Sequence, residues 1–422
     1  MVLRIIICTL LVLLCPKEIT AQKIKASAFG YKALDATEAF MRALQSSHDT
    51  ILIDRQKEDW ILSPVTLRNL TNKTIVFESG VVVKAKKNAF LRKGDVLLKL
   101  INCENINILG YGAQFIMNKE EYTDGEWRMG ISMLSSKAIT VKGLVISNSG
   151  GDGVYIGGAR RGEFSENIYI EDIVSENHKR QGISIVSARN VKVVNSIFKN
   201  TKGVLPGAGV DIEPDHPEDR IENITFENCV FTGNDHAGIL LALTKLTSAS
   251  VPVQVRFSGC YLKMNHLPSN SYAPAEIVIN ANATDPVKGK VEFENLFIDG
   301  SLWGVLYTRK LSKAFQVTFR NCYARNICQK GTMPPFYFEV PDYFNSSGPL
   351  GGFTFENFYI DYESNLPVFK IKGSSLRTLK GFENITGRLM VRNKYEKSIE
   401  YIKYHPAQNR GVSLDFQFED IP

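Results

Sequence analysis

At 422 residues, with 44% hydrophobic and 22% charged side chains, the chain can bury a large core and is not a disordered polymer. A net charge of +6 gives no reason to expect nucleic acid as a partner, though its sign is compatible with an anionic polymer.

Residues 1–21 begin with Arg4, continue as an apolar run from Ile5 to Leu14 and end on the small residue Ala21. This pattern predicts a secretory signal peptide cleaved near Ala21 or Gln22, and hence a secreted or periplasmic protein. The run is too short to span a bilayer, and no stable membrane insertion is expected elsewhere. Cys15 follows the bulky Leu14, which disfavours a lipid anchor.

Residues 22–60 read as an N-terminal cap. Within them Asp35–Ser47 (DATEAFMRALQSS) predicts an amphipathic helix, with Asp35 as N-cap and Ala39, Phe40, Ala43 and Leu44 on one face. From 61 to 387 a short motif recurs about every 23 to 36 residues, two apolar residues in alternation followed by Asn, Asp or Gly. Examples are IYIED near Ile168, ITFEN near Ile224, VEFEN near Val291 and FTFEN near Phe353. Alternation rich in Val, Ile and Phe predicts short strands with one buried face, and Asn, Asp and Gly supply corners with positive φ. Inside this array Gly153, Gly182, Gly209 and Gly238 each open a glycine–apolar–any–apolar segment, at intervals of 29, 27 and 29 residues. Such spacing predicts one supersecondary unit stacked on copies of itself. Residues 388–422 lose the repeat and read as a C-terminal cap.

Five cysteines follow the signal peptide, an odd number that argues against a full disulfide framework. Cys229, Cys260 and Cys322 share one repeat position and predict stacked buried thiols, with a Cys322–Cys328 bridge as the one pairing left open.

The D-A-T-x-A-F helix, the exported N-terminus and about eleven turns resemble the pectate-lyase-like superfamily over nearly the whole mature chain. The resemblance implies an all-β fold, a single-stranded right-handed parallel β-helix with an N-terminal capping helix and a C-terminal cap. It also implies a polysaccharide partner. Members include lyases, glycoside hydrolases, epimerases and phage depolymerases, so the reaction stays open. The N-x-D, D-D, G-H-G and R-x-K motifs of the pectin-type hydrolases are absent here as a full set.

Strand alternation places Asp211 and Glu213 on one outer face, about 6.6 Å apart, with Arg180, Gln181, Asp235 and His236 on neighbouring turns about 4.8 Å away. Asp is a poor strand former and paired acids repel, so Asp211 and Glu213 read as the acid and base of a glycoside hydrolase, with Asp235 and His236 as further catalytic residues. His178, Lys179, Arg180, Gln181 and Asp215 are candidate substrate contacts, and the loop Glu120–Gly130 offers Trp127 as a sugar platform and Arg128 as a clamp. No cofactor is expected for hydrolysis. The alternative enzyme is a lyase acting on a uronate polymer, with His178 or Lys179 as base, Arg180 as neutraliser and a Ca²⁺ site at Asp211, Glu213 and Asp235. A third reading is a non-catalytic carbohydrate-binding or adhesive solenoid. Each group also has a structural reading: an acidic strand face neutralised by Arg180, a basic corner at His178–Arg180, and an Asx turn at Asp235.

Overall fold

Each apolar–any–apolar segment forms a short strand, and successive copies pair in parallel register along one axis. The computed structural model describes residues 23–266, 275–341, 348–374 and 381–419; the expected signal peptide lies outside them. Among the described residues the strands form two sheets. In the larger, of 23 strands, each middle turn of the coil contributes two strands, and the other sheet has 12.

One turn shows how sequence sets the cross-section. The strand Ser165–Glu171 buries Ile168 and Ile170, and Asp172 then turns the chain at φ 56°. Val174–Glu176 continues the larger sheet, a corner follows, and Ile183–Ile185 enters the smaller one. The positive-φ position recurs one turn at a time as Asn195, Asn228, Gly259, Asn295, Asn321 and Asn357. These are the residue types that tolerate the left-handed region most readily.

The interior is a stack of like residues. Phe226, Phe257, Phe293, Phe319 and Phe355 stand in file with ring centroids 4.6 to 5.4 Å apart. The five described cysteines are all free and buried, as stacked thiols require, so the Cys322–Cys328 bridge does not form.

At the N-terminal end the helix Thr37–Gln45 buries Ala39, Phe40, Ala43 and Leu44. Asp35 caps it from two residues upstream of Thr37, accepting from the Thr37 amide at 3.0 Å and its hydroxyl at 2.5 Å. The C-terminal segment differs from the expected cap. Phe382–Arg392, Ile399–Ile402 and Asn409–Phe418 are further strands in register, so the coil runs to Phe418 and the smaller sheet has a twelfth strand. Charged and aromatic residues obscure this last turn because its inward positions, Val412, Leu414, Phe416 and Phe418, are only half-buried at the open end.

Candidate active site

The four register glycines are corners where a side chain has no room. A Cβ on Gly182 would stand 2.5 Å from the Gly209 carbonyl oxygen, and one on Gly209 would stand 2.8 Å from that of Gly238. Beyond these corners the smaller sheet turns one face outward, and its register stacks Tyr155, Ser184, Asp211 and Leu240 in one column.

Arg180 organises the polar patch on this face. Its Nη2 lies 2.7 Å from Glu213 Oε2 and 3.9 Å from Asp211 Oδ2, and its Nη1 lies 3.7 Å from Asp152 Oδ2. Gln181 is fully buried beside it, donating to Asp211 Oδ2 at 2.8 Å and accepting from the Ala208 amide at 2.7 Å. Asp211 and Asp152 are fully buried, whereas the Glu213 side chain is 41% exposed. Asp211 Oδ1 and both Asp152 oxygens have no hydrogen-bond partner among the described residues. Burial, then the Glu213 charge, pushes the Asp211 carboxyl well above the ordinary range, against the pull of Arg180. Burial raises Asp152 to about 6, again opposed by Arg180. The same three acids raise the Arg180 guanidinium against its own desolvation.

Asp211, Glu213, Arg180 and Gln181 are thus brought together as the columns predict. Asp152 joins them and was not among the residues singled out from the sequence. Its signal was present, since it shares the position before the glycine with Gln181. Tyr155 is a second omission; it is half-buried in the column of Asp211, and burial followed by the charges of Asp215 and Asp152 raises its phenol.

Other predicted residues lie elsewhere. His178 is fully buried, with Ser149 Oγ 2.8 Å from Nδ1 and Ser175 Oγ 2.9 Å from Nε2, so it never reaches the outer face. Burial lowers its imidazole to about 3, which keeps it neutral. The Lys179 ammonium donates to the Tyr122 carbonyl. Arg128 is buried and holds its own loop, donating to the carbonyls of Phe90 and Leu91 and pairing with Asp124. Trp127 is 40% exposed, and its carbonyl abuts Gly151, next to Asp152. Asp215 is exposed, in a turn whose Asp215 and His216 amides both donate to Asp219 Oδ2 at 2.8 Å. Asp235 is half-buried, its amide donating to the Thr201 carbonyl at 2.8 Å. His236 is fully buried, its ring 5.3 Å from that of His266.

The cation between the carboxylates is Arg180, and among the described residues no three His, Cys, Asp or Glu side chains converge as metal ligands. A cleft of about 790 Å³ opens several turns away, lined by residues 326–331 and 361–365 with Arg392, and holds none of the predicted site residues.

The family model for the right-handed beta helix region matches residues 74–250. With the sheet register and the solved structures that share it, this makes the fold a right-handed parallel β-helix. No curated protein sequence matches the chain. Among solved structures it is similar to the catalytic unit of a GH87 alpha-1,3-glucanase from Streptomyces thermodiastaticus. That match has 11% identity and a TM-score of 0.55, over 95% of this chain and 68% of that one. It is equally similar to PfbA, a surface adhesin of Streptococcus pneumoniae, with 11% identity and a TM-score of 0.55, over 94% and 91% of the two chains. The A-module of the mannuronan C-5 epimerase AlgE6 from Azotobacter vinelandii has 12% identity and a TM-score of 0.55, over 94% and 100%. At these identities the likeness is one of fold. Among the described residues no helix is long and apolar enough to cross a membrane.

Proposed function

We propose that the protein is a secreted polysaccharide-degrading glycoside hydrolase whose acid is Asp211 and whose base is Glu213. The observation that carries this reading is the unlike environment of two neighbouring carboxyls on one outer strand face. Asp211 is buried with its proton held tightly, while Glu213 reaches solvent and contacts Arg180 at 2.7 Å. A neighbouring pair in which burial raises the proton affinity of one carboxyl has an acid suited to glycoside cleavage. Protonated Asp211 would donate to the leaving oxygen as Glu213 activates water. Arg180 and Gln181 hold the pair in place, Asp152 buffers the charge on Arg180, and Trp127 stands at the loop edge as a sugar contact. Substrate binding must displace the Arg180–Glu213 contact to uncover Asp211, since Asp211 has no exposed surface in this state.

Hydrolysis is favoured over β-elimination because His178 is buried and neutral and Lys179 is committed to a loop carbonyl, leaving a lyase without its base. The non-catalytic reading draws on that same burial of Asp211 and Asp152, and on the likeness to an adhesin. The test is the mature protein against neutral, uronate and sulfated polysaccharides, assayed for new reducing ends and for ultraviolet-absorbing unsaturated ends. Reducing ends without that absorbance, lost in Glu213→Gln, support the proposal; unsaturated ends, or neither product, overturn it.

A further inference from the structure

The outer face of the larger sheet, away from the candidate site, carries a continuous apolar stripe. From Val145 to Met390, nine successive turns place one apolar side chain in the same outward column, and each is half-buried rather than covered. Gln114 and Gln417 end the column on either side. At about 4.8 Å per turn the stripe is about 40 Å long. Its C-terminal half is aromatic: Tyr261, Phe297, Tyr323 and Tyr359 stack with centroids 4.6 to 5.3 Å apart. Its N-terminal half is aliphatic, with Val174, Ile197 and Val230. A contiguous, partly exposed apolar surface of this length marks a contact site.

The column two residues further along each strand identifies the partner. In order it reads Glu176, Lys199, Thr232, Lys263, Asp299, Arg325, Asp361 and Arg392. Three ion pairs already run along it: Lys199–Glu176 at 2.9 Å, Arg325–Asp299 at 2.9 Å and Arg392–Asp361 at 3.5 Å. A two-fold axis in the plane of this face and perpendicular to the coil axis reverses the order of turns while keeping each column over its own copy. With that axis between the turns of Lys263 and Asp299, Glu176 meets Arg392 of the second copy, Lys199 meets Asp361, Thr232 meets Arg325 and Lys263 meets Asp299. No like charges face each other. Shifting the axis by half a turn, onto Lys263, sets Lys199 against Arg325 and Glu176 against Asp361, which repel. The same register apposes Val174 with Met390, Ile197 with Tyr359 and Val230 with Tyr323, small side chains against large ones, with Tyr261 and Phe297 at the centre.

We infer that two copies of this chain associate through this stripe as an antiparallel, isologous dimer centred between Tyr261 and Phe297. The occupant of the stripe is a second copy because the charge column is complementary to its own reversal. Two columns of this length give an area near the low end of specific interfaces, so the dimer dissociates on dilution. It leaves the outer face of the smaller sheet, with Asp211 and Glu213, outside the dimer contact.

The test is sedimentation velocity on the mature chain from roughly 1 to 100 µM. The expected result is a reversible dimer weakened by salt. Lys199→Glu and Asp361→Lys, which face each other across the interface but lie five turns apart within one chain, should each weaken it by about tenfold or more, and the double variant should restore it, a rescue that an effect on folding cannot imitate. Independently, Ile197→Cys/Tyr359→Cys treated with a bis-maleimide whose span is about 10 Å, the separation of packed sheets, should give a covalent dimer and Ile197→Cys alone should not. The two sites are about 24 Å apart within one chain, at five turns of spacing. The native cysteines are buried and stay out of the reaction. A monomer throughout the range overturns the inference, as does a dimer indifferent to both charge reversals. A monomer held on immobilised polysaccharide through Tyr323 and Tyr359 overturns it too.

Discussion

At Asp211 burial, repulsion from Glu213 and attraction to Arg180 act on one carboxyl, and burial and repulsion prevail. Asp211→Asn and Glu213→Gln should each lower kcat by about 10² to 10⁴ with the folded structure intact, measured as reducing ends released together with Tm. The alkaline limb of the pH–rate profile should lie above the ordinary carboxylate range and vanish with Asp211→Asn. Asp152 supplies a stability test whose sign follows from linkage. Its folded value of about 6 lies above the ordinary 3.8, so the protonated form is favoured by folding. That contribution is fully present below about 3.8 and is lost as pH rises through 6. Asp152→Asn should therefore raise Tm more at pH 8 than at pH 4, by an amount equivalent to about 2 to 3 kcal/mol. Equal effects at both pH values would contradict the assignment. The reach of sequence is visible at this scale. Asp211, Glu213 and Arg180 follow from register, but alternation alone cannot show that His178 points inward to Ser149 and Ser175. It loses its authority at a corner, where successive residues no longer alternate between faces.

Among elements, strands and corners were legible because each turn repeats one chemical demand. The interior needs alternating apolar residues, and the bend needs Asn, Asp or Gly at positive φ, as at Asn195, Asn228 and Asn295. The register glycines make a different demand, for space rather than dihedral freedom. Gly182→Ala would press a methyl to within 2.5 Å of the Gly209 carbonyl and 3.0 Å of Phe198 Cβ. Its expected cost is about 1 to 3 kcal/mol, read as a shift in denaturant midpoint at unchanged slope. No shift would mean that the corner relaxes freely. Loop anchoring was not legible: Arg128 reads as a free cation in sequence, and only the fold supplies the Phe90 and Leu91 carbonyls that absorb it.

For the whole molecule, the parallel coil and its N-terminal helix were readable from periodicity, and the extent of its C-terminal end was not. The final turn through Ile399–Ile402 and Asn409–Phe418 shields the buried Ile385, Leu389 and Val391. Ending the chain after Arg392 should expose that row, lower Tm and promote association, seen by light scattering on heating. An unchanged Tm would show that the last turn is dispensable. The catalytic proposal concerns a face of the solenoid that the fold alone leaves uncommitted, because hydrolase, epimerase and adhesin structures resemble it equally. The most direct measurement is product formation from a polysaccharide panel by the wild type and by Glu213→Gln, with reducing ends and ultraviolet absorbance followed in the same samples. New reducing ends without absorbance in the wild type, absent from the variant, are the predicted result. Unsaturated products, no product from any polymer, or full turnover by Glu213→Gln would contradict it.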